Sequence, residues 1–311
     1  MKITTLGFCT AVTLIGCGTD EPTGPETLPG LEVPPPPDNG VQLITPIVHD
    51  LQPGSDNEIC TWTDTFLDAS TDIRSTLVSQ NEPPGHHVVL YYTLEPQPPG
   101  TQRVCTDTDM ASFRFITGNG GNLELNEAPG NLVYRVPAGA QLVVNHHYLN
   151  AGDTVMDGQA IVNVNYAPPG NYIPSGNLAV VDTGIDVPIG QSTHDISCTL
   201  EQSMKLWYLI PHMHRWGSRI TVDVTQGGTK SRKFDTTWDD AFTFHPPEMR
   251  LDPTTPMTLA AGDKIDVHCE WNNDTDRSLP FGFEMCVSFG QFVDDGGIGN
   301  RACDNGNWTD F

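Results

Sequence analysis

Apolar residues in this chain recur at every second position, in short runs cut by Gly, Pro, Asn and Asp, and few architectures accept that pattern. Val162, Val164 and Tyr166 alternate with Asn163 and Asn165; Ile220, Val222 and Val224 alternate with Thr221 and Asp223; Ile265, Val267 and Cys269 alternate with Asp266 and His268. A period of two puts one set of side chains on a buried face and the other in water, which is the mark of antiparallel strands. No long helical pattern competes with it, so the chain is expected to be all-β. The length from Val41 to Phe311 suits two tandem antiparallel β-sandwiches of jelly-roll-like form with a cleft between them. Ala167, Pro168, Pro169 and Gly170 make the expected boundary, because adjacent prolines stop a strand. The two sandwiches would then be residues 41–169 and 170–311.

The N-terminus has a different character. Lys2 precedes an uncharged, mostly apolar run from Ile3 to Gly16, too short to span a bilayer as a helix. It resembles a bacterial lipoprotein signal: residues 1–16 would be removed and Cys17 would take the lipid. Gly18 stands where an aspartate would retain the protein at the inner membrane, so an outer-membrane address is expected, with membrane contact only through that lipid. Pro22, Pro25, Pro29 and then Pro34 to Pro37 give residues 17–40 the composition of a semi-rigid tether. Fifteen Lys plus Arg against 39 Asp plus Glu leave a net charge of −24, which repels phosphate backbones and excludes nucleic acid as an expected partner.

Of eight cysteines, Cys9 leaves with the signal and Cys17 carries lipid. Cys60, Cys105, Cys198, Cys269, Cys286 and Cys303 remain, an even number that predicts three disulfides in an exported chain, with fifteen pairings open. No CxxC, GxSxG, HExxH or P-loop occurs, and Gly118 to Gly121 reads as a turn. Asp294, Asp295, Asp304 and Asp310 read as acidic surface loops, with calcium binding as the lesser alternative.

Six of the ten histidines fall in tight pairs: His86 with His87, His146 with His147, and His212 with His214. Imidazole is the commonest ligand for copper and zinc, and residues i and i+2 on one strand set two rings side by side. Adjacent histidines point to opposite faces of a regular strand. His86 and His87 can therefore share an ion only where the chain is irregular, and Pro83, Pro84 and Gly85 just before them supply a reason for irregularity. His49, His194, His245 and His268 read as isolated polar residues. In FGFEMCVSF, Met285 shares the period-two face of Phe281, Phe283, Val287 and Phe289, which on pattern alone is a core position.

Taken in order, HHVVLYYT from His86, the His147-Tyr148 step, HMH at residues 212–214 followed by Gly217, GDKIDVHCEW from Gly262, and Glu284-Met285-Cys286 resemble the copper type II, ascorbate-dependent monooxygenases. That family includes peptidylglycine α-hydroxylating monooxygenase and dopamine β-monooxygenase. The resemblance covers the chain from about Cys60 to Cys303. It implies one copper on His86, His87 and His147 and a second on His212, His214 and Met285. The second would meet dioxygen and substrate, making His212, His214 and Met285 the catalytic set, and the first would pass on an electron from ascorbate or another one-electron reductant. It also implies disulfides Cys60–Cys105, Cys269–Cys286 and Cys198–Cys303. Thr93 stands where the family has a further cysteine, and His146 has no counterpart.

The amidating members hold a peptide carboxylate with an arginine two residues before HxH and a tyrosine four residues after the methionine. Here those positions are Ile210 and Phe289, which offer nothing to offset desolvation of a carboxylate. The expected substrate is therefore a small apolar or aromatic molecule, in a pocket lined by Ile210, Val287 and Phe289. A copper-buffering or copper-delivering lipoprotein without turnover is the alternative reading, and a scaffolding β protein a more distant one.

Overall fold

The structure is a computed structural model that describes residues 26–243 and 245–310. The signal segment and Cys17 lie outside them. The described chain is all-β, and its helical content is the six-residue helix Asp107–Ser112 and a single 3-10 turn at Asp240–Thr243. Among the described residues no helix is long and apolar enough to cross a membrane.

Three sheets carry most of the structure. The first has five strands, in the order Gln102–Val104, Asp56–Phe66, Gln141–Leu149, Gly85–Thr93 and Arg114–Asn119. The second has four, in the order Gly190–Thr199, Lys264–Asn273, Gly217–Gln226 and Thr229–Thr237. A twelve-stranded sheet shares one core with each of them, and its main path includes Ala160–Tyr166, Thr71–Gln80, Leu132–Val136, Ile173–Val181, Val287–Val293 and Met204–His212. The proline-rich boundary at residues 167–170 joins two of its strands. A short parallel pairing, Ile173 with Leu132 and Pro174 with Val133, carries the sheet across that boundary.

The apolar members of the alternation are buried as expected, except Tyr166, which is half-buried, but Asn163, Thr221 and Asp223, expected in water, are buried as well. Val162, Val164, Ile220, Val222, Val224, Ile265, Val267 and Cys269 are all buried, at roughly 1.5–3 kcal/mol for each large aliphatic side chain. They fall into two main clusters among the described residues. One gathers Leu43, Ile73, Leu90, Leu132, Leu142 and Val162; the other gathers Leu178, Leu206, Leu209, Ile220, Val267 and Phe292.

Three disulfides are present among the described residues: Cys60–Cys105, Cys198–Cys303 and Cys269–Cys286, with Cα–Cα distances of 5.2, 6.2 and 5.9 Å. These separations sit within the range a disulfide requires. The pairing is the one the resemblance implied, and it suits an extracytoplasmic protein.

The described part of the proline-rich stretch, expected as a semi-rigid tether, is bound to the fold. From Glu26 to Pro35 it lies against the large sheet, held by side chains from three neighbouring strands, Gly40–Ile44, Ala160–Tyr166 and Thr71–Gln80. Prolines donate no backbone hydrogen bond, but their carbonyls still accept, and side-chain amides collect them. Gln42 Nε2 donates to the Pro34 carbonyl at 2.7 Å and Asn163 Nδ2 to that of Pro35 at 2.8 Å. Gln159, fully buried, accepts from Leu28 N at 2.7 Å and donates to the Glu26 carbonyl at 2.9 Å.

Candidate metal centre

The centre starts from one extra residue in a strand. Gly85–Thr93 pairs with Gln141–Leu149 so that His147 opposes His87 and Tyr148 opposes Gly85, and the register skips His86 as an extra residue. That bulge cancels the alternation that would send neighbouring side chains to opposite faces. His86, His87 and His147 therefore converge, each offering a ring nitrogen within 4.8 Å of the others. Their ring centroids are 5.7, 5.1 and 4.8 Å apart, and the Nδ1 atoms of His86 and His87 are 3.5 Å apart. Among the described residues this is the one such grouping of three or more His, Cys, Asp or Glu side chains.

The protonation states suit a metal. Asp56 Oδ1 lies 2.5 Å from Nε2 of His147, so that nitrogen carries the proton and donates it. Nδ1 of His147 is then a lone-pair donor, buried and without any hydrogen-bond partner. A buried polar atom left unpaired costs stability unless something occupies it. Burial, with the nearby His147, pushes His86 down to about 4 and His87 well below the ordinary imidazole range. Both rings stay neutral at neutral pH, with nitrogen lone pairs available. The hydrogen bond from His147 in turn lowers the Asp56 carboxyl, keeping it charged and in place.

The second group is built at the end of the Met204–His212 strand. His212 is its last residue and His214 follows beyond it, the two rings 5.1 Å apart and perpendicular. Burial, with His214 beside it, pushes His212 down to about 3. Nδ1 of His214 lies 3.2 Å from the Phe283 carbonyl, which can only accept, so Nε2 is the nitrogen left to bind. Glu284, fully buried, fixes this corner. Its Oε1 accepts from the backbone N–H of His214 at 2.6 Å and of Met285 at 2.9 Å, and its Oε2 from that of Trp216 at 3.0 Å.

Met285 does not sit on a strand among phenylalanines, as its spacing alone suggested. The chain turns at Gly282, whose φ of 98° few other residues adopt, and the strand begins only at Val287. Phe283 and Phe289 are 54% and 36% exposed, whereas Phe281 packs against the core and Val287 is buried, so the expected aromatic face is only partly core. Val287 opposes His212 in the register, which carries Met285 to the same end of the sheet as the two imidazoles. Ile210 opposes Phe289, and the Phe289 ring stands 5.7 Å from that of His212. Val287 is wholly buried and offers a ligand no surface of its own.

The two histidine groups lie within electrostatic reach of each other: His212 acts on His87, and His214 acts on Asp56. A cavity of about 460 Å³ beside His86 is lined also by Glu82, Gly85, Leu149, Ala241 and His245. His245, which the sequence left as an isolated residue, thus borders the first group and acts on His86.

The remaining single histidines have carboxylate partners that spacing concealed. His49 pairs with Asp157 at 2.9 Å, His194 with Asp182 at 2.8 Å and His268 with Asp195 at 2.8 Å. The acidic tail is similarly engaged by protein donors: Asp294 by the N–H groups of Ile298 and Gly299, Asp304 by Thr183, Asp295 by Lys205 and Asp310 by Arg301. Sequence reasoning missed Asp56, and it quoted Glu284 beside Met285 without giving it a role, since only the fold brings the two carboxylates to the histidines.

No protein-family model matches the chain, and no curated protein matches it. Among solved structures it is similar to that of the Gx strain of infectious bursal disease virus, at 10% identity over 87% of this chain and 77% of that one, with a TM-score of 0.20. The Gt strain gives 12% identity over 89% and 75%, with a TM-score of 0.20, and the VP2 subviral particle of the same virus 10% over 88% and 76%, with a TM-score of 0.18. Similarity at this level assigns no function, and the site is read from its own chemistry.

Proposed function

We propose that this protein is a copper-dependent monooxygenase of the copper type II, ascorbate-dependent kind. It would hydroxylate an activated C–H bond of a small apolar or aromatic substrate with dioxygen and an external one-electron reductant. The observation that carries the reading is the convergence of His86, His87 and His147 on one point, with the buried Nδ1 of His147 lacking any other partner.

The donor chemistry fits copper. Neutral imidazoles hold it in both oxidation states, and a thioether favours Cu(I). His86, His87 and His147 would hold one ion, and His212, His214 and Met285 the other. When bound, copper would supply one-electron transfer and the activation of dioxygen. The chain's own part is positional. Asp56 fixes the His147 tautomer, and Glu284 ties His214 and Met285 into one corner. Ile210 and Phe289, beside His212, present an apolar wall without a charge to hold a carboxylate. In this reading the two histidine groups face one cleft between two β-sandwiches, on a lipoprotein held at the outer membrane.

The test is copper content followed by turnover. Purified protein should bind two coppers per chain and consume oxygen with ascorbate and a suitable aromatic substrate, and Met285→Ala should lower that rate at least tenfold. Absence of copper removes the reading altogether. Copper binding with oxygen consumption indifferent to Met285→Ala would leave a metal carrier instead.

A further inference from the structure

The three-imidazole group exists only because the strand bulges at His86, and the structure places a buried assembly directly behind that bulge. Its centre is His146, the histidine for which the two metal sets have no use. We infer that His146 is a positioning residue that, through Gln80, sets the bulge presenting His86 and His87. This rests on the reading of His86, His87 and His147 as a metal site, but not on any catalytic activity.

Alternation along Gln141–Leu149 sends His146 to the face opposite His147. There it is 2% exposed and lies against Tyr148, ring centroids 3.8 Å apart. Its Nε2 is 3.0 Å from Oε1 of Gln80, itself 1% exposed. The Gln80 amide nitrogen faces two acceptors, the Glu82 carboxylate at 3.1 Å and the His86 carbonyl at 3.5 Å. An amide that donates from its nitrogen on both sides must accept at its oxygen, so the His146 Nε2 proton points at Gln80. A line of contacts thus runs from Tyr148 through His146 and Gln80 to the backbone of the bulged residue.

The bulge rests tightly on this line. Gly85 N donates to the Asn81 carbonyl at 2.8 Å, closing the loop that contains Pro83 and Pro84. A Cβ at Gly85 would stand 2.6 Å from that carbonyl oxygen, 2.9 Å from Gln80 Oε1 and 3.0 Å from His146 Nε2. Such distances leave no slack, so a displaced Gln80 or His146 would be felt at once by the residues that carry the two metal-facing rings. The consecutive histidines on one strand would then divide the work: His147 offers a nitrogen to the metal, and His146 holds the loop that brings the other two.

A residue that merely packs would cost stability when replaced and leave the metal geometry alone. His146→Phe keeps the ring against Tyr148 and removes the donor. Its Cu(II) affinity at the three-histidine site should fall about tenfold or more. The electron paramagnetic resonance hyperfine pattern of that site should change, while the second copper is retained. Gln80→Met, which cuts the same line from its other side, should do likewise, and the double variant should be little worse than either single one. His146→Gln, which still carries an N–H donor, should recover much of the affinity. A folded His146→Phe or Gln80→Met variant with wild-type affinity and spectrum overturns the proposal, and either variant suffices should the other fail to fold. Failure of the underlying metal reading looks different: the wild-type protein itself would then bind no copper at these histidines.

Discussion

Asp56 holds His147 from the far side of its ring, Oδ1 to Nε2, so that Nδ1 turns inward toward His86 and His87. The carboxylate is exposed and the imidazole is not, which makes Asp56 removable without opening the core. Asp56→Asn or Asp56→Ala should leave the fold intact and weaken copper at the three-histidine site by roughly 10- to 100-fold, through loss of ring orientation and ligand basicity. Titration with a competing chelator measures this. Wild-type affinity in Asp56→Ala would show that the tautomer is set by something else.

The buried imidazoles give the metal-free protein a defined acid sensitivity. His86 is held at about 4, and His146 and His212 at about 3, in each case first by burial and then by a neighbouring histidine. The unfolded chain protonates these rings near pH 6.5, whereas the folded chain resists until the lower values, so the unfolded state binds more protons between them. Stability should be full above about pH 6.5 and fall as the pH drops toward 3 to 4, by at most about 1.4 kcal/mol per pH unit for the fully buried His146. Asp56, with its carboxyl lowered by His147, contributes above its unfolded value near 4 and is lost only below that, so the histidine window opens first. On the proposed reading copper would compete with protons for His86, His87 and His212, and its addition should move the decline to lower pH. Urea midpoints from pH 7 to 4, with and without copper, test this; a flat metal-free profile between pH 6.5 and 5 would contradict it.

The bound proline-rich segment should resist proteolysis for a reason that substitution can remove. Gln159 spans it, accepting from Leu28 N and donating to the Glu26 carbonyl, and Ser79 Oγ donates to the Glu32 carbonyl. Each such bond adds about 0.5–1.5 kcal/mol. A Glu-specific protease should cut slowly after Glu32 in the wild-type protein and at least tenfold faster in Gln159→Leu, as followed by mass spectrometry. Equal rates would mean that the segment is held by packing rather than by these amides.

How far the sequence could be read follows from the range of each signal. Alternation at Val162 and Val164 or at Ile265 and Val267 is local, and it predicts buried strand faces without knowledge of any partner. The irregularity at His86 was legible for the same reason, because Pro83, Pro84 and Gly85 stand beside it. Asp56 lies 91 residues from His147 with nothing in its neighbourhood to mark it, and Glu284, though it stands beside Met285 in the resemblance motif, lies 70 residues from His214, so its bond there was not legible. Composition misjudged the prolines: apolar content measures core-forming ability, whereas this segment is held by its carbonyls. Met285 was misplaced on a strand because Gly282 breaks a period-two pattern that reads as continuous through it. The metal set itself came from ordered resemblance, since no single pair of histidines distinguishes a ligand from a polar surface.

Glu284 is where stability and function should separate most clearly. Its two carboxylate oxygens accept three backbone N–H groups, from His214, Trp216 and Met285, in a fully buried position. Glu284→Gln keeps the shape but presents an amide NH₂ where one oxygen stood, so at least one buried N–H loses its acceptor at a cost of about 1–3 kcal/mol. The two segments it joins carry His214 and Met285, so on the proposed two-copper reading the ion assigned to them should be lost while the one assigned to the three histidines stays. Copper content should fall from two per chain to one, and the remaining signal should match that of the wild-type three-histidine site. Loss of both coppers together would mean that Glu284 supports the whole fold, and retention of both would mean that the His214–Met285 corner is held without it.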